Sequence, residues 1–244
     1  MFNTSSLTVL LLIAHFLADY QFQSEGLVER KHKSLGPNAT HIAIHALTLI
    51  PIFILSIVLQ IAGQFLLMAA VILVNHFIVD MMKILATRNW PKQTAGFYLF
   101  DQIAHVIILI VVSEFTFVGV ADVFRASSLQ DYQVILKFIL LLVLVTKPAN
   151  VTFRTLFTKY QDEATQGDDT VPGAGAIIGN MERIISAVFL ATNNIASIAL
   201  IYTAKSIARF KQMEDKQFAE YYLIGTLYSI LFVVGVYLLI FEVM

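Results

Sequence analysis

Residues 64–87 read QFLLMAAVILVNHFIVDMMKILAT, a run long enough to cross a hydrocarbon core, which needs roughly 20 apolar residues, yet it carries His76 and Asp80 in its interior. Ionisable groups are costly inside a membrane and mark function by default, so this one stretch fixes the solvent and points to a site. Comparable runs lie near 5–23, 39–59, 96–119, 131–151, 176–203 and 219–243. The fold class expected is all-α, a polytopic transmembrane bundle of six to seven helices, with seven preferred. Short polar links such as Gln60 to Gln64 imply neighbouring antiparallel helices and little mass outside the bilayer.

Composition agrees. Hydrophobic residues make up 58% of the 244 and charged residues 14%, too apolar for an ordinary soluble domain of this length. The absence of cysteine excludes disulfides, thiol catalysis and thiolate metal sites, leaving imidazole, carboxylate and water as metal ligands. A net charge of -1 gives no global attraction to nucleic acid, and no nucleic-acid partner is expected. The N-terminal run MFNTSSLTVLLLIAH has no basic leader and continues into AHFLADYQFQ without a small-residue cleavage site, so it is read as a retained helix.

Arg30, Lys31 and Lys33 crowd the first loop and Lys83, Arg88 and Lys92 the third, which places both in the cytoplasm and the N-terminus outside. Lys205, Arg209, Lys211 and Lys216 conflict with this in a seven-span chain, unless a later segment is re-entrant or those cations are held in protein. Two parts are expected: residues 1–120, a four-helix membrane domain with a His/Asp cluster, and residues 121–244, membrane helices with basic residues. The polar stretch Tyr160–Gly175 reads as a solvated connector. No convincing internal repeat appears, which counts mildly against a repeat-built transporter.

The first four helices carry His15 and Asp19, His41 and His45, His76 and Asp80, and Asp101 and His105. Every pair is spaced i, i+4, so its members share a face one turn apart and can reach one ion. Because residues rise 1.5 Å each and the helices alternate in direction, Asp19, His45, Asp80 and Asp101 fall at a common depth, about 6 to 11 Å from the cytoplasmic surface. His15, His76 and His105 lie a turn deeper. The expected metal ligands are therefore His15, Asp19, His45, His76, Asp80, Asp101 and His105, with Asp19, Asp80 or Asp101 as catalytic base. Sulfur-free ligands suit a divalent ion, zinc foremost, with manganese or iron as alternatives, and seven candidates allow one ion or two. Gln23, Asn75 and Gln102 offer hydrogen bonds to the ligands. His41, at the membrane edge, reads as an interfacial histidine, His32 as a solvated loop residue, and Glu114 as a partnered, protonated or functional carboxylate. The same pairs could instead relay protons or join helices without metal.

Beyond residue 121 the polar residues become cationic. Arg183, Glu182, Lys205 and Arg209 are candidates for binding an anionic head group, since guanidinium suits phosphate and carboxylate. Snorkelling at helix ends accounts equally for Lys147, Arg154, Lys205 and Arg209. Gly225 reads as a close-packing position.

The segments AHFLADYQFQ, HIAIHALT, NHFIVDMMK and FDQIAHV resemble the bacterial membrane proteins grouped as domain of unknown function 3307, over residues 5 to about 110. Further on, IIGNMERII, TAKSIARF and EYYLIGTLYS resemble the C-terminal part of longer members. The resemblance supports the residue list; its likeness to membrane-bound metal-dependent hydrolases is an analogy of His and Asp on helices. The functional expectation is a metal-dependent hydrolase of the bacterial cytoplasmic membrane, multi-pass, acting on a lipid-like, anionic or amphipathic substrate. A divalent-metal or proton-coupled transporter and a non-catalytic scaffold are the alternatives.

Overall fold

The computed structural model describes residues 4–23, 36–90, 93–164 and 173–244, and every regular element among them is helical. In chain order these are α1 (Ser6–Gln21), α2 (Asn38–Val58), α3 (Ala62–Asn89), α4 (Thr94–Thr116), α5 (Val118–Ala126), α6 (Gln133–Leu144), α7 (Lys147–Ala164), α8 (Ala174–Ala191), α9 (Ile195–Ala208) and α10 (Lys216–Val243). Six stretches are long and apolar enough to cross a membrane: α2, α3, α4, Ser128–Phe157, α8 and α10. The chain is a multi-pass membrane protein. Its contacts divide it into two compact units that meet within α6, one running to Leu140 and the other from Leu141. The basic residues Arg30, Lys31, Lys33 and Lys92, together with His32 and residues 165–172 of the Tyr160–Gly175 connector, lie outside the described residues.

Burial in α3 and α4 is inverted relative to a soluble protein. Val74, Phe77 and Ile78 are exposed while His76 and Asp80 are buried, and Phe100, Ile103 and Ile107 face outward while Asp101 and His105 are buried. In water that distribution would expose apolar surface and bury charge at once; in lipid it does the reverse of harm, because acyl chains solvate the outer face.

Two of the seven expected spans are not single crossings. The segment at 5–23 forms an α-helix of 11 residues followed by a π-helical turn of 5, too short for the full hydrocarbon core. It is apolar all round because protein surrounds it: Leu7, Val9, Leu11, Leu12, Ala14 and Ala18 are all buried, against α2, α4 and α5, and His15 meets His76 of α3. Its N-terminus is tied down by Glu114, which accepts from the backbone N–H and hydroxyl of Ser5, both at 2.8 Å, and from Thr8. A carboxylate there satisfies orphan donors and the positive end of the helix dipole. Arg125 neutralises Glu114 from α5, so Glu114 is a partnered structural carboxylate.

The segment at 176–203 breaks at Asn193, whose φ of 57° is left-handed. Asn193 N–H donates to Leu190 O at 3.1 Å and Asn194 N–H to Phe189 O at 2.8 Å, the paired bonds of a Schellman stop. Asparagine tolerates the left-handed region better than most residues. Glu182 and Lys205, nearly equidistant from this turn along the chain, form a 2.8 Å ion pair, so α8 and α9 run antiparallel. Lys205 and Arg209 thus return toward the end of the unit at which α8 begins. This removes the conflict with the positive-inside rule that a continuous crossing creates.

Within this unit Arg183 is buried and donates to Val145 O (2.6 Å), Asn150 Oδ1 (2.5 Å), Asn180 Oδ1 (2.9 Å) and Ser229 Oγ (3.2 Å). Val145 sits at the break before Pro148, where a helical carbonyl needs a donor. Gly179 makes room for this guanidinium: a Cβ there would lie 3.1 Å from Arg183 Nη1. At Gly225 a Cβ would meet Phe153 at an ordinary 3.5 Å, so the tight glycine of this unit is Gly179.

Candidate metal centre

The four i, i+4 pairs converge in the unit that ends at Leu140. Asp19 is the hub. Its Oδ1 lies 2.8 Å from His45 Nε2, 3.2 Å from His41 Nε2 and 3.8 Å from His76 Nε2, and its Oδ2 lies 3.5 Å from His15 Nε2. Asp80 Oδ2 stands 3.4 Å from His41 Nε2 and 3.9 Å from His76 Nε2, and those two nitrogens are 3.0 Å apart. The imidazoles are crowded at tilted angles, with ring centroids 3.9 Å apart for His45 and His76 and 4.2 Å for His76 and His105.

Local structure sets this up. Asp19 sits in the π-helical turn Leu17–Gln21, closed by Phe22 N–H to Leu17 O at 2.9 Å; the wider turn changes the phase of the last residues of α1 and carries the carboxylate among the imidazoles. Such turns recur at functional sites. Gln102 donates to Asp101 Oδ2 at 3.0 Å and to Asp19 Oδ2 at 3.4 Å, orienting both. Asn75 bonds back to Val71 O in its own helix at 2.8 Å, so its amide serves α3, and the expected contact to the ligands is not made by it.

His41 is a correction. It is only 1% exposed and lies within hydrogen-bonding or ion-pair reach of His76, Asp19 and Asp80, so it is interior where an interfacial histidine was expected. The first turn of α2 is packed against α3, with Asn38 buried and directed at Met81 Sδ. Lys83 was counted only as a loop cation, yet its ammonium donates to Asp101 Oδ2 at 2.7 Å. The signal was available, since His76, Asp80 and Lys83 repeat at i, i+4, i+7 and therefore share one face.

Two features test whether this set suits a cation. Ligands 2.0–2.1 Å from a tetrahedral ion stand about 3.3–3.4 Å from each other, and the contacts among His15, Asp19, His41, His45, His76 and Asp80 run from 2.8 to 3.9 Å around that value. Charge is the second. With neutral imidazoles, Asp19, Asp80 and Asp101 bring three negative charges and Lys83 one positive, leaving two unbalanced in a buried site. Buried charge demands a partner, and one divalent ion would supply it. Among the described residues three groups can hold an ion: His15, Asp19, His45 and His76; His41, His76 and Asp80; and Asp80, Asp101 and His105.

Four of the histidines border a small apolar chamber that neither Asp19 nor Asp80 lines. His15, His45, His76 and His105 edge it, and Leu11, Leu49, Ile72, Leu73, Ile108 and Leu109 form much of its wall.

The residues expected to bind substrate all lie in the other unit, with protein partners: Arg183 as described, Glu182 with Lys205, and Arg209 with Gln212 Oε1 at 2.9 Å.

Fold and site together define a polytopic helical membrane protein with a buried histidine–carboxylate centre. The chain belongs to the family described as Protein of unknown function (DUF3307), which it matches over residues 7–134, more than half its length. That match contains every member of the centre and ends before the IIGNMERII, TAKSIARF and EYYLIGTLYS segments. No curated protein and no solved structure matches the chain.

Proposed function

We propose that this protein is a metal-dependent hydrolase embedded in the bacterial cytoplasmic membrane, using one divalent ion, zinc foremost, on a lipid-like substrate. The observation that carries the reading is the convergence of five imidazoles and three carboxylates in one buried cluster whose closest ligand atoms lie 2.8 to 3.9 Å apart. A bound divalent ion would supply Lewis acidity, lowering the proton affinity of water and stabilising a developing oxyanion. His15, Asp19, His45 and His76 would hold it, with His41 and Asp80 on the adjoining face. Asp80, of which Oδ2 lies 3.4 Å from His41 Nε2, is the group to accept a proton from the nucleophile and return it to the leaving group. Gln102 fixes the Asp19 and Asp101 carboxylates. The apolar chamber, about 20 Å³ in volume, has room for about one water molecule beside the histidines.

The apolar lining of that chamber supports this reading over transport. Leu11, Ile72 and Leu109 follow the histidines on the deeper side, and Glu114 beyond them is already paired with Arg125. A transit path would need further free ligands there.

Elemental analysis of detergent-purified protein is expected to find one divalent ion per chain in the wild type and none in a His76→Ala, Asp80→Ala double variant. A long-chain nitrophenyl ester and a nitrophenyl phosphodiester then test the chemistry. Turnover should vanish on chelation and in Asp80→Ala. A wild type free of metal would refute the centre, and turnover indifferent to both chelation and Asp80→Ala would refute the hydrolase.

A further inference from the structure

The proposed first ion uses His15, Asp19, His45 and His76, and leaves one corner of the cluster unexplained. His105 donates from Nε2 to the His76 carbonyl at 3.5 Å, so in the neutral ring Nδ1 carries a lone pair. That lone pair faces Asp101 Oδ1 across 3.7 Å. Neither atom has a hydrogen-bond partner, and Asp101 and His105 are 1% and 3% exposed. Two acceptors aimed at each other in a buried site repel, unless a cation lies between them. Their separation is near the about 3.4 Å expected of two ligands on one small ion, and Asp80 brings a third ligand atom within 4.8 Å.

The other oxygen of Asp101 is held by Lys83 at 2.7 Å, with a third of the lysine side chain exposed and Asp101 almost wholly enclosed. Lys83 therefore stands between this corner and the exterior, already supplying one positive charge. The charge count gives it a consequence. One divalent ion at Asp19 balances the cluster when Lys83 is present; without Lys83, the same occupancy leaves one negative charge beside three preformed ligand atoms.

We propose that Asp80, Asp101 and His105 form a second divalent-cation subsite, and that Lys83 keeps it closed, holding the centre to a single ion. This rests on the metal-centre reading above and adds the control of its nuclearity. Lys83 acts through Asp101 and is a positioning and selectivity residue.

The test is the number of ions per chain in full-length, detergent-purified protein equilibrated with zinc and then freed of excess. The wild type should hold one, Lys83→Met two, and the charge-preserving Lys83→Arg one. Lys83→Gln replaces Lys83→Met should the latter not fold. Adding Asp101→Asn to Lys83→Met should return the count to one. One ion in both the wild type and the neutral variants would overturn the subsite and leave the first centre standing. Two in the wild type would overturn the role of Lys83. Two persisting with Asp101→Asn would overturn the assignment of the ligands. No ion in the wild type would remove the centre itself and this inference with it.

Discussion

Asp19→Asn is the most informative single change, because Asp19 oxygens reach four imidazole nitrogens at 2.8, 3.2, 3.5 and 3.8 Å. Asparagine keeps the shape, removes one charge and turns an amide donor toward nitrogens that must present lone pairs to a metal. Removing one partner of a buried charge pair costs about 3–5 kcal/mol, which converts to roughly 10²- to 10⁴-fold weaker metal binding. Gln102→Ala, which removes only the orienting donor, should cost about 10- to 100-fold. Competition against a chromophoric zinc chelator in detergent measures both. The sign of the effect on stability is more telling than its size. In metal-free protein at about pH 8, where imidazoles are largely neutral, the variant relieves part of a buried negative surplus and should melt higher than the wild type; with zinc it should melt lower. A pairing of helices that needs no ion predicts a lower melting temperature under both conditions. Zinc affinity of Asp19→Asn within threefold of the wild type, or a loss of stability that ignores metal, would refute the charge argument.

Four further outcomes follow from the same geometry. Acidification should release zinc, since protons compete for every imidazole ligand, and dialysis across a pH series with elemental analysis will show it. Glu114→Gln should destabilise the unit that ends at Leu140 by about 2–3 kcal/mol, below the cost for a fully buried pair because a quarter of the Arg125 side chain is exposed; its zinc content should not change. Gln60→Gly should raise stability by about 1 kcal/mol, because Gln60 holds φ 60° in a Schellman stop between α2 and α3, and a denaturant melt in mixed micelles can resolve that. Arg183→Lys, which lacks the planar fork needed to serve Val145, Asn150, Asn180 and Ser229 together, should lower the melting temperature and leave zinc binding intact; reduced binding of zinc would contradict its purely structural placement.

Much of this was legible in the chain. The runs around 39–59, 64–87, 96–119 and 219–243 are apolar over a bilayer's thickness, and each became a long helix. The i, i+4 pairs converged because helical periodicity fixes their faces regardless of what surrounds them. What failed were readings that depended on surroundings. A helix that is apolar on every side looks alike whether lipid or protein encloses it, so α1 passed for a crossing. The break at Asn193 is a backbone event of one residue within an apolar run, below the resolution of any hydropathy window. His41 was judged by its distance from the membrane edge, although the packing of α2 on α3 determines its burial. Lys83 was counted as a topogenic charge, although its ammonium also reaches back to Asp101. Asp19 depends on a π-helical turn that no spacing announces.

The enclosure of α1 has a bearing on biogenesis. The helix at the heart of its unit leaves the ribosome before α2, α4 and α5, which pack on it, and before α3, whose His76 its His15 meets. Until then Ser5, Thr8, His15 and Asp19 lack the partners found in the finished protein, and Glu114 and Arg125, which fasten its N-terminus, are synthesised about a hundred residues later. Synthesis and assembly of α1 are thus separated in time: its buried polar groups are made well before the helices that close around them.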